Sequence, residues 1–119
     1  MENLTVLTSQ KMLVATAGRV DIVNVDDLVR IEAQSNYSKL FFNDGKTLTV
    51  AKVLRKFEET LSPGNFIRTH KTHLVNLHFI RAYEGKEHKK LLLENGDYIT
   101  VARSKQRGVL QQLMNQKAM

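Results

Sequence analysis

At 119 residues, 42% hydrophobic and 25% charged, the chain has enough apolar surface for one core and too little for two. No cysteine is present, which excludes disulfides and thiolate metal sites; no apolar run approaches the about 18 residues that cross a bilayer; and Met1-Glu2-Asn3-Leu4 lacks the basic start and apolar core of a signal peptide, so a cytoplasmic address is expected. The net charge of +6 is uneven, −2 over residues 1–36 and +8 over residues 37–119, and a clustered positive field favours a polyanionic partner whose counterions it releases on binding.

Short runs rich in Val, Ile, Leu and Thr, separated by turn residues, predict a mainly β fold. The first six runs are residues 4–7, 12–16, 20–25, 28–32, 37–42 and 46–50. In the third, Val20, Ile22 and Val25 are split by Asp21 and Asn24; in the fifth, Leu40 and Phe42 share a face opposite Lys39 and Phe41. Ala17-Gly18-Arg19 and Asn43-Asp44-Gly45-Lys46 mark turns, the second through an Asp-Gly pair that tolerates positive φ. Residues 52–61 change period: Val53, Leu54, Phe57 and Leu61 fall on one helical face, and Ser62-Pro63-Gly64-Asn65 stops that helix. Strand runs resume at 66–70, 73–77, 79–83, 90–93 and 98–101, with turns at Glu84-Gly85-Lys86 and Glu94-Asn95-Gly96-Asp97. Residues 105–116 predict a closing helix with Val109, Leu110, Leu113 and Met114 on one face and Ser104 as its N-cap, and Gly108 weakens it by about 1 kcal/mol. The expected organisation is a lead-in strand or linker over 1–17 and a single domain over 18–119.

Catalysis finds no positive signal. His70 and His73 form an H-x-x-H pair, but in one extended strand residues three apart point to opposite faces, and no Asp or Glu lies between Asn65 and Tyr83 to complete a ligand set. No G-x-S-x-G elbow is present and the glycines are scattered singly, so neither enzyme activity nor a metal or other cofactor is expected. Polar and basic residues concentrate instead in three clusters. These are Gln34-Ser35-Asn36-Tyr37-Ser38-Lys39; Arg68-Thr69-His70-Lys71-Thr72 with Asn76 beyond; and Arg103-Ser104-Lys105. Arg and Lys can contact guanine edges and phosphates, and Asn, Ser, Thr and His supply shorter donors and acceptors. Each cluster alone is an ordinary solvated loop; three from distant parts of the chain favour nucleic acid. The clusters leave open which nucleic acid is bound; an RNA- or single-strand-binding β domain stacking bases on Tyr37, Tyr83 or Tyr98 stands as the alternative to a reader of duplex DNA.

Residues 66–80 resemble the signature of LytTR domains, F-x-R-x-H-[RK]-[ST]-x-[LV]-[VI]-N-x-x-x-I, carried here by Phe66, Arg68, His70, Lys71, Thr72, Leu74, Val75, Asn76 and Ile80. Ile31-Glu32-Ala33 with Asn36-Tyr37 resembles the family's I-E-A-x-x-N-Y block, and Asn95-Gly96 followed by Ile99, Val101, Ala102 and Arg103 resembles its N-G…I-x-V-[SA]-R block. The likeness extends over about residues 18–115. It implies about ten short strands in small antiparallel sheets side by side, one short internal helix and a C-terminal helix. It also implies a bacterial response-regulator output domain that reads double-stranded promoter DNA through loops, at paired sites, with a receiver domain in a longer chain or a second copy on DNA as partner. By resemblance the loop at Asn36, Tyr37, Ser38 and Lys39 and the loop carrying Arg103 enter successive major grooves, and His70-Lys71 meets the backbone or minor groove between them. Arg68 and Lys105, like His70 and Lys71, are expected mainly at phosphates, and Ser104 among the DNA contacts. Asn76 is either a contact or a structural tie after its strand.

Overall fold

The computed structural model describes residues 3–6, 11–62 and 64–117. Leu7 of the first predicted run and Pro63 of the predicted helix stop lie outside them. Among the described residues eleven strands form three antiparallel sheets. The first joins β1 (Asn3–Val6), β2 (Lys11–Thr16) and β3 (Arg19–Asn24). The central sheet takes β4 (Leu28–Gln34), β5 (Tyr37–Phe42), β6 (Thr47–Val50), β7 (Phe66–His70) and β8 (His73–Asn76) in the order β6-β5-β4-β8-β7, with α1 (Leu54–Leu61) between β6 and β7. The third is a meander of β9 (Ile80–Glu84), β10 (Lys90–Leu93) and β11 (Tyr98–Thr100), followed by α2 (Gln106–Lys117). No helix among the described residues is long and apolar enough to cross a membrane.

The turns follow residue chemistry. Gly18, Gly45 and Gly96 reverse their hairpins at φ of 75°, 90° and 92°, values at which a Cβ would crowd the backbone. Asn24 and Asn76 act alike: each accepts from the N–H two residues on, Asp26 and His78, and so starts a one-turn 3-10 helix that delivers the chain into β4 or β9.

Two apolar clusters meet along β4, β7 and β8: adjacent residues of β7 and β8 point to opposite faces, and in β4 a bulge between Leu28 and Arg30 turns Val29 to the face opposite Ile31. Ile31, Phe66 and Leu74 join Met12, Val14, Phe57 and Leu61 in one core, whereas Val29, Ile67 and Val75 join Leu91, Ile99, Val109 and Leu113 in the other. The continuous apolar runs of these strands are thereby buried on both faces. Each such side chain contributes about 1.5–3 kcal/mol on full burial.

Three local expectations change. Val20 and Ile22 do share a face, but it is the solvent face, 60% and 66% exposed, and Val23 points into the core. In α2 Val109 and Leu113 are buried, while Leu110 and Met114 lie open. Ser104 does not cap α2: it lies inside a 3-10 turn, Arg103–Lys105, that begins at Ala102 and runs directly into the helix.

Candidate nucleic-acid interface

The first cluster is the β4–β5 hairpin. Gln34 pairs with Tyr37, which leaves Ser35 and Asn36 as a two-residue reversal. Ser35 takes φ 58° without being glycine, a conformation that side chains rarely adopt. Asn36 and Tyr37 are exposed. The next residue turns inward: Ser38 is fully buried, and its hydroxyl donates to the Lys52 carbonyl at 2.7 Å, tying β5 to the segment after β6. Lys39 returns to the outer face, its ammonium 5.3 Å from the Phe41 ring centre.

The second is the β7–β8 hairpin, reversed at Lys71-Thr72. Arg68 organises it from within. Its guanidinium donates to Glu58 Oε1 at 2.6 Å, to the Lys71 carbonyl at 2.6 Å and to the His70 carbonyl at 2.9 Å, so it clamps the turn to α1. His70 Nδ1 accepts the Thr72 N–H at 3.2 Å and lies 2.9 Å from the Thr72 hydroxyl. Lys71 projects into solvent. Asn76, at the far end of β8, is 3% exposed; its amide donates to the Leu28 carbonyl at 2.9 Å while its oxygen caps His78.

The expectation that His70 and His73 point apart is corrected. They do not share a strand: the turn between them makes them cross-strand partners, with ring centres 5.7 Å apart. Residues paired across a hairpin share a face. His73 is held below its ordinary pKa by burial; Glu32, 4.0 Å away, opposes this shift, whereas Arg30 and His70 reinforce it. No group of three His, Cys, Asp or Glu among the described residues is placed to hold a metal ion.

The third cluster is Arg103-Ser104-Lys105, all exposed, forming the turn before α2. Two backbone bonds gather the three clusters at one end of the central sheet. Ala33 N–H donates to the Thr72 carbonyl at 2.9 Å, joining the first hairpin to the second, and Ala102 N–H donates to Thr69 on β7 at 2.8 Å, placing Arg103 beside the second. Strand order then sets the sequence along the edge: the 35–36 turn, the 71–72 turn, Arg103. The first two turns are centred two strand spacings apart, about 10 Å. A fourth loop, residues 85–89 between β9 and β10, lies beyond Arg103: Val101 N–H donates to the Lys89 carbonyl at 3.1 Å. In the sequence it stands out only as the turn Glu84-Gly85-Lys86, although the run Lys86-Glu87-His88-Lys89-Lys90 carries three lysines and a histidine.

Exposed at this end are Asn36, Tyr37, Lys71, Arg103, Ser104 and Lys105, with Lys39 and His70 half-buried. Ser38, Arg68 and Asn76 have their polar groups engaged inside the protein.

A small, mainly β domain that gathers basic loops at one sheet end is the class that fold and site define. Residues 18–114 match the LytTr DNA-binding domain family, and the chain belongs to that family. In structure it is similar to a chain described as the LytTr DNA-binding domain of a methyl-accepting/DNA response regulator from Bacillus cereus. The TM-score is 0.70 and the identity 22%, over 88% of this chain and 96% of that one. No curated protein matches the sequence. The family is one of DNA-binding output domains of transcription regulators.

Proposed function

We propose that the chain is a sequence-specific reader of double-stranded DNA, acting as the output domain of a bacterial, cytoplasmic transcription regulator, and that it reads bases with loops rather than a helix. The observation that carries this reading is the row of loops tied together by the Ala33–Thr72 and Ala102–Thr69 backbone bonds. Arg103 is the principal base reader, since its guanidinium fork matches the O6 and N7 edge of guanine. Asn36, Tyr37 and Lys39 form the second reading loop. Two turns only about 10 Å apart cannot both centre in major grooves one helical turn, about 34 Å, apart. The His70-Lys71 turn therefore meets the backbone or minor groove between the two reading loops. Ser104 and Lys105 hold phosphates. Ser38, Arg68 and Asn76 act by positioning: they fix the loops that carry the contacts.

Selection of bound sites from random duplex DNA, followed by titration of the best site, tests this reading. The expected product is a defined motif with a steep salt dependence, and Arg103→Ala should lose about 1–3 kcal/mol and relax preference at one base pair. Sequence-blind binding, or an Arg103→Ala protein that keeps its full preference, would refute it. Single-stranded competitors of the same sequence should displace the duplex poorly.

A further inference from the structure

The 85–89 loop lies at the reading end but outside the three clusters. Lys90, the first residue of β10, pairs with Glu84 on one side and Thr100 on the other, so the loop begins where the strand leading to Arg103 ends. Lys86 and Glu87 line one shallow cleft with Arg103 and Gln106, and the Gln106 side chain donates to the Glu87 carbonyl at 3.4 Å.

The loop has a fixed shape. Gly85 takes φ +107°, and a Cβ there would come within 2.3 Å of the His88 carbonyl oxygen, so only glycine allows the chain to close on itself. Lys89 completes the closure, its ammonium donating to the Gly85 carbonyl at 2.6 Å. Lys86 and His88 are left exposed on the outside of this closed loop. A rigid loop loses little conformational freedom on binding, and lysine presents a compact charge suited to a phosphate rather than to a base edge.

We propose that the 85–89 loop is a phosphate-binding element which extends the contact with duplex DNA beyond the bases read by Arg103, with Lys86 as the charge that meets the backbone. This rests on the DNA-reading function proposed above. Glu87 sits in the same cleft as Lys86 and opposes the contact, which gives the proposal a test of two signs.

The experiment titrates the full chain with its selected duplex and with the same duplex shortened on the flank nearest the base pair at which Arg103→Ala loses preference. Lys86→Ala should weaken every sequence alike and flatten the plot of log affinity against log salt by about 0.9. Its loss of affinity between 50 and 200 mM salt is then smaller than wild type's by about threefold. Glu87→Gln should tighten binding. Lys46→Ala, in the β5–β6 turn at the opposite end of the sheet, should bind as wild type does. On the shortened duplex, wild type and Lys86→Ala should coincide. A Lys86→Ala protein with wild-type affinity and salt slope on the long duplex overturns the proposal while leaving the role of Arg103 standing. Absence of duplex binding by the wild-type chain overturns both.

Discussion

Ser38 and His73 show how single residues near the reading loops act through the fold. Ser38 has no exposed surface, and its hydroxyl answers the Lys52 carbonyl. Ser38→Ala removes that buried hydrogen bond and should cost about 0.5–1.5 kcal/mol in urea unfolding, while the rank order of DNA sequences bound stays as in the wild type. His73 predicts a pH dependence. Burial favours its neutral form in the folded chain, with Glu32, Arg30 and His70 as the charged and titratable neighbours, so its folded pKa lies below the ordinary 6.5. As pH falls, the unfolded chain takes up this proton first. The contribution to stability is therefore complete above about 6.5 and declines as pH drops through the interval beneath it. Thermal unfolding followed from pH 7.5 to 5 should show this decline, and His73→Gln should reduce it.

At the scale of elements, the hairpins that carry the loops are held from behind by side chains on other elements. Asn76 joins β8 to the start of β4 through the Leu28 carbonyl and starts the turn into β9. Asn76→Ala removes a cap, worth about 0.5–2 kcal/mol, and orphans a buried carbonyl, worth about 1–3 kcal/mol. Urea denaturation should therefore show a loss of about 1.5–5 kcal/mol, and Asn76→Asp, which keeps the cap but not the amide donor, should recover only part of it. Period-two alternation made most strands legible, and the Asp-Gly and Asn-Gly turns located two hairpins. The 71–72 turn was less legible because neither Lys71 nor Thr72 is a turn former by type. Its reversal depends on Arg68 donating to the Lys71 and His70 carbonyls while Glu58 on α1 holds the guanidinium. That arrangement joins residues distant in sequence, and it is why His70 and His73 meet across a hairpin.

For the whole molecule, the two cores share β4, β7 and β8, so neither can melt while the other keeps its packing surface. Unfolding should be a single transition whether followed by backbone or aromatic signals. Phe57→Ala in one core and Leu91→Ala in the other should each shift that same transition, by about 3–5 and 2–5 kcal/mol. Two separate transitions, or a Leu91→Ala protein that melts only the third sheet, would contradict this. Amide exchange should be slowest in β4 and β8, which lie inside the central sheet.

The sequence by itself determined the mainly β character, the places of the two helices, the basic excess beyond residue 36 and the family signature, because these depend on residue chemistry and on spacings within a few positions. Tertiary structure alone decided which of the polar residues in the three clusters are available to a partner. Ser38 and Lys39 are neighbours in one strand, yet one is sealed against Lys52 and the other faces outward. Arg68 and Arg103 are the same residue type in comparable basic clusters, yet Glu58 and two carbonyls occupy the first while the second stands free in solvent. It also decided that the 85–89 loop belongs beside Arg103, since that neighbourhood arises from the pairing of β10 with β9 and β11. Local periodicity sets which residues share a face; only the packing of one element on another settles whether that face meets protein or water.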